Sequence, residues 1–170
     1  MLTIKQLKIK IKQILISKNI PKINSYFGLN GTGLIVGNNC KYTCGFDCVG
    51  GGSDNKIILG DNVNLANCYV YIGGSNNTIE IGNGSYIGDA TFWIEDSNNK
   101  ISIGKGASVN VNCNFTVCDG HEIKIGDGCL ISTDVCFQCG DGHSVVDKDG
   151  TRINFTRDIV LGNHVWIGKE

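Results

Sequence analysis

The chain has 170 residues, 41% hydrophobic and 18% charged, with a formal net charge of −1, a composition suited to one domain. Charge is segregated: Lys5, Lys8, Lys10, Lys12, Lys18 and Lys22 fall in residues 1–24 without an acid, leaving a body of about −7. An acidic body lacks the electrostatic footprint for nucleic acid, no apolar run is long enough to span a bilayer, and no apolar core with a cleavage site marks a signal peptide, so the expected location is cytoplasmic.

At the amino end, Ile4, Leu7, Ile11 and Ile14 follow a helix-like spacing, which predicts a short helical cap laying one apolar stripe on the element that follows. The stretch Lys8-Ile9-Lys10-Ile11-Lys12 also alternates as a strand does. A basic amphipathic segment suits an anionic membrane surface as well, so association with the inner face of a membrane through residues 1–18 is a further expectation. Residues 1–24 are read as this basic cap and residues 25–170 as one repeat domain.

From residue 30 onward, Ile-x-Ile-Gly and its variants recur, closing at Gly37, Gly60, Gly82, Gly104, Gly126 and Gly162. The steps are 23, 22, 22, 22 and 36 residues. Short β-branched runs separated by Gly, Asn and Asp at such a period predict an all-β solenoid, a single-stranded parallel β-helix with coils of about 22 residues. One coil reads Ile79-Glu-Ile-Gly-Asn-Gly, Ser85-Tyr-Ile-Gly-Asp-Ala and Thr91-Phe-Trp-Ile-Glu-Asp, then a corner Ser97-Asn-Asn-Lys. Three sides and a protruding corner follow, with Ile81, Ile87 and Ile103 inward. The 24 glycines and single proline, Pro21, suit many tight turns and an unbroken ladder. Nine cysteines are odd in number and several stand where the repeat wants small apolar residues, so they are expected as reduced thiols. Neither Cys40-x3-Cys44-x3-Cys48 nor Cys136-x2-Cys139 has the paired spacing of a zinc knuckle.

Residues 22 apart should lie over one another. The corner then stacks Asn55, Asn77, Asn99, His121 and His143, preceded by Ser75, Ser97, Asp119 and Asp141. Asn at a corner is a structural device; a turn does not require His. The 36-residue step adds 14 residues to one coil, and they leave the corner directly after His143, within the polar loop 144–158. Long loops on rigid scaffolds are where function concentrates.

The pattern Ile123-Lys-Ile-Gly-Asp-Gly, Asp141-Gly-His-Ser, a polar loop with Arg152-Ile-Asn, and Ile159-Val-Leu-Gly-Asn-His-Val-Trp-Ile-Gly168 resembles the hexapeptide-repeat acetyltransferases, most closely the sugar and polysaccharide O-acetyltransferases of the galactoside and maltose type and of capsule and lipopolysaccharide synthesis. The resemblance implies a left-handed coil, a homotrimer, acetyl-CoA as co-substrate with no metal, and a sugar hydroxyl as acceptor. It implies His143 as general base. Asp141, His121 and Asn114 are candidates for contacting the acceptor or orienting the base, with Asp141 or a nearby carbonyl fixing the imidazole tautomer. Arg152 and Trp166 are candidates for CoA contact, Arg152 through a phosphate, as Arg157 could be. His164 is expected at a coil corner. The family continues for further coils whereas this chain ends at Glu170, so a stack truncated at its carboxy end is expected. The alternatives are a zinc enzyme resembling the γ-type carbonic anhydrases, whose His-x4-His pair is absent here, and an inactive or structural β-helix fragment.

Overall fold

A computed structural model describes residues 29–48 and 52–169; the expected helical cap over residues 1–24 lies outside the described residues. Among the described residues every regular element is a strand, and the strands pair in parallel. The first side stacks β1 (Gly33–Val36), β3 (Lys56–Leu59), β5 (Thr78–Ile81), β8 (Lys100–Ile103), β11 (Glu122–Ile125) and β14 (Ile159–Val160). The second stacks β6 (Tyr86–Gly88), β9 (Ser108–Val109), β12 (Leu130–Ile131) and β15 (Trp166–Ile167); the third stacks β7 (Ala90–Ile94), β10 (Cys113–Val117) and β13 (Cys136–Gln138). In the early coils these two sides are continuous: β2 (Lys41–Cys48) pairs with β4 (Asn64–Ile72), and β4 pairs with both β6 and β7.

The period-2 pattern turns into a stacked interior. Ile57, Ile79, Ile101 and Ile123 are in register and buried, as are Leu59, Ile81, Ile103 and Ile125. On the third side Phe92, Phe115 and Phe137 stack with ring centroids 5.3 and 5.1 Å apart, a continuous aromatic column along the axis. Six cysteines, Cys48, Cys68, Cys113, Cys118, Cys129 and Cys139, are buried, and all nine are free thiols. Cys129 continues the interior corner column of Val63, Ser85 and Ala107, which runs on to Val165. Burial pushes the Cys48 and Cys139 thiols up to about 11.

The recurrent glycines have a cause other than positive φ. Gly82, Gly104 and Gly126 lie so close to the next coil that an added Cβ would stand 2.4–2.6 Å from its backbone atoms, closer than carbon contacts allow. Left-handed backbone falls two residues later, at Gly84, Gly106 and Gly128, and then at His164, whose φ of 57° continues that column with an exposed imidazole.

Candidate active site

The corner between the third and first sides begins as a ladder of buried amides. The Asn77 N–H donates to Asn55 Oδ1 at 2.9 Å and the Asn99 N–H to Asn77 Oδ1 at 2.8 Å. Asn77 Nδ2 also donates to the Gly73 and Asp96 carbonyls at 2.8 and 2.7 Å. Positive φ at this corner belongs to the preceding residues, Asn76, Asn98 and Asp119. The buried Asn side chains thus tie coil to coil, which satisfies polar groups that burial would otherwise strand.

His121 ends the ladder. Its N–H still donates to Asn99 Oδ1 at 3.1 Å, but its imidazole turns to the loop, with Nδ1 2.8 Å from Asp158 Oδ1. The same oxygen accepts the Glu122 N–H at 2.9 Å. That bond, then the one from His121, holds the Asp158 carboxyl below the usual range.

The expected columns fail in two places. Ala90 pairs with Cys113, an offset of 23, because the bend at residues 110–112 holds an extra residue; the Asp119 N–H therefore meets the Asp96 carboxylate at 3.0 Å rather than Ser97. Higher up, Ile123 pairs with Ile159, which puts Arg157 rather than His143 in register with His121. His143 has left the stack with the loop, and it is exposed.

The loop is a small hairpin. Val146 and Arg152 form an antiparallel bridge, the Ile153 N–H donates to the Val145 carbonyl at 2.8 Å, and Asp147 Oδ1 accepts the Asp149 and Thr151 N–H groups at 2.9 Å each. An Asp-x-x-Gly turn closes it. Two anchors fix its base. Arg152 Nη2 lies 3.0 Å from Asp119 Oδ2, which also accepts the Thr156 hydroxyl; Thr156 and then Arg152 hold the Asp119 carboxyl low. Asn154 is the second: Nδ2 donates to Asp141 Oδ1 and to the His143 carbonyl at 2.7 Å each, and Oδ1 accepts the Val145 N–H at 2.6 Å.

This frame sets the chemistry of His143. Its Nδ1 lies 2.7 Å from the Asp141 carbonyl oxygen. A carbonyl only accepts, so Nδ1 carries the proton, and in the neutral ring Nε2 keeps its lone pair. His143 lines a cleft of about 240 Å³ with Glu95, Asp96, Cys118, Asp119, Gly142, Ser144 and Arg152. A base in a cleft beside a braced loop can take a proton from a bound hydroxyl.

The other sequence candidates are dispersed. Asn114 stands half-buried at the start of β10, in register with Thr91 and Cys136, so the length of that strand separates it from the corner holding His121. Arg152 braces the loop through Asp119. Trp166 is 76% exposed on the last coil, over Leu130. A groove of about 400 Å³ along the first side holds the ion pairs of Lys100 with Glu80 and Glu122, at 3.4 and 4.0 Å, and no histidine. Among the described residues no group of three or more His, Cys, Asp or Glu is placed to hold a metal ion. Sequence reading missed Asn154, Asp158 and Thr156. The triplet Arg152-Ile-Asn154 was the available signal, since alternation in a hairpin puts its two polar ends on one face.

No protein-family profile matches the sequence, and no curated protein does. Among solved structures the chain is similar to the polySia specific acetyltransferase NeuO, with 28% identity and a TM-score of 0.67 over 82% of this chain. The match spans 58% of that enzyme's length. The resemblance to β-helical acetyltransferases read from the repeats therefore holds at the level of structure.

Proposed function

We propose that this protein is an O-acetyltransferase that moves an acetyl group from acetyl-CoA to a hydroxyl of a sugar or polysaccharide precursor, with His143 as general base. The observation that carries the reading is the 2.7 Å bond from His143 Nδ1 to the Asp141 carbonyl, which in the neutral ring puts the lone pair on Nε2 of a residue lining the cleft. Similarity to a solved acetyltransferase supports the reaction class.

A sugar hydroxyl is a weak nucleophile near neutral pH. As its oxygen bonds to the thioester carbonyl carbon, its proton passes to Nε2; the tetrahedral species then collapses, the carbon–sulfur bond breaks, and the imidazolium returns the proton to the departing sulfur. Asp141 and Asn154 keep the ring in the required tautomer through this cycle. The exposed Trp166 is the candidate surface for CoA. Assembly as a homotrimer, a cytoplasmic location and contact with the membrane through residues 1–18 belong to the same reading.

Purified protein is expected to release CoA from acetyl-CoA when a glycan acceptor is added, with acetylated glycan recovered by mass spectrometry. Failure to acetylate any member of a broad glycan panel would overturn the assignment.

A further inference from the structure

The cleft beside His143 is acidic, and its charges are not equally committed. Among the described residues, Glu95, Asp96 and Asp119 face a single lining Lys or Arg, Arg152. Arg152 is paired with Asp119 at 3.0 Å. The Asp96 carboxylate is occupied as well, accepting the Asp119 N–H at 3.0 Å and Asn99 Nδ2 at 2.6 Å. The loop's other cations, Lys148 and Arg157, do not line the cleft.

Glu95 differs from all of these. It follows β7 at the mouth of the corner, exposed, and among the described residues its carboxylate has no hydrogen bond or ion pair. It lies against Gly142, its oxygens 3.8 and 3.9 Å from where a Cβ at that position would stand. An uncommitted carboxylate therefore sits directly against the residue before His143. Two residues earlier on the same outward row, Trp93 stacks on Tyr71 with centroids 4.0 Å apart.

We infer that Glu95 selects the acceptor: the cleft takes an uncharged glycan, whose hydroxyls donate to the Glu95 carboxylate, and turns away a polyanionic one. An ionised carboxylate only accepts, and its hydrogen bonds from hydroxyl donors are strengthened by charge. A glycan bearing a carboxylate on every unit meets like charge there, which disfavours it more at low salt. On the outward row that leads to Glu95, the stacked Trp93 and Tyr71 rings add apolar surface with polar tips, which suits the mixed character of a pyranose. The inference rests on the acetyltransferase reading.

The test compares two acceptors with the full chain, a neutral hexose oligosaccharide and polysialic acid, each assayed with acetyl-CoA at low and moderate salt. The wild type is expected to favour the neutral acceptor in kcat/KM by about tenfold or more at low salt, with the gap narrowing as salt rises. Glu95→Gln, which keeps the shape and removes the charge, should bring the two acceptors toward parity, chiefly through KM. Preference of the wild type for polysialic acid, or a ratio that Glu95→Gln leaves unchanged, would overturn the role of Glu95 while leaving the acetyltransferase reading intact. Absence of transfer to either acceptor, or to any other glycan, from folded protein would defeat that reading and this inference with it.

Discussion

Two stretches of one corner differ in kind. At Asn77 and Asn99 the side chains point inward, are fully buried, and have their polar atoms matched to neighbouring coils. One coil later the same corner carries His121, whose imidazole bonds Asp158 of the loop, and just before the loop His143 leaves the stack, its imidazole bonded to the Asp141 carbonyl; both are more exposed. The contrast teaches that a solenoid builds rigidity by repeating a buried bond and builds a site by interrupting it. Once the ladder ends at His121, the chain is free to project a hairpin, and the hairpin must supply its own anchors.

The largest stability effect should come from breaking the ladder. Asn77→Ala strands the Asn99 N–H and the Gly73 and Asp96 carbonyls, and should cost about 2–4 kcal/mol in denaturant unfolding. His143→Ala should leave the unfolding midpoint nearly unchanged, because an exposed side chain outside the stack contributes little to it. Equal losses from both would erase the distinction between the two stretches.

Asn154→Ala sharpens the comparison from the other side. It removes the bonds to Asp141 and to the His143 carbonyl without touching the coils, so kcat should fall about tenfold, roughly 1.4 kcal/mol in barrier. The melting temperature and acceptor KM should move little; a large fall in melting temperature would assign Asn154 to the scaffold.

Acid should loosen the hairpin before the coils. Asp119 and Asp158 have depressed folded-state values, so their contribution is complete above the unfolded carboxylate range, about pH 4, and is lost as the pH falls through the lower folded values. NMR contacts between Arg152 and Asp119 should persist at pH 5 and fade well below pH 4. Fading above pH 5 would contradict the anchor. The smallest effect concerns the thiols: Cys136 is exposed while its neighbour Cys139 is buried with its thiol raised to about 11, so brief alkylation at pH 8 should label Cys136 well ahead of Cys139.

Much of this was legible because a solenoid writes its geometry as a period. The spacing of the glycines identified the coils, alternation placed Ile81, Ile87 and Ile103 inside, and the 36-residue step located the loop at His143. Vertical reading failed where the period slipped without changing its total. One residue gained at 110–112 is lost again by the corner at His121, so Gly104 and Gly126 stay 22 apart while Asp119 moves from Ser97 to Asp96. The role of Arg152 was illegible for another reason. Its partner Asp119 lies 33 residues away and meets it only after the hairpin folds back, a contact no local pattern encodes. Glu95 reads in sequence as one more outward strand residue, and only the approach of Gly142 brings it to the cleft.

On the proposed mechanism the acceptor proton goes to His143, which is exposed, and not to the half-buried His121. Both rings have Nδ1 committed, one to a carbonyl and one to a carboxylate, so geometry at Nδ1 alone does not separate them; the cleft does, since it is lined by His143 and not by His121. The direct measurement is acetyl transfer by His143→Ala and His121→Ala side by side with the wild type. His143→Ala should lose about 10²–10⁴-fold in kcat while His121→Ala retains most of the activity. Full turnover in His143→Ala, or the larger loss in His121→Ala, would contradict it.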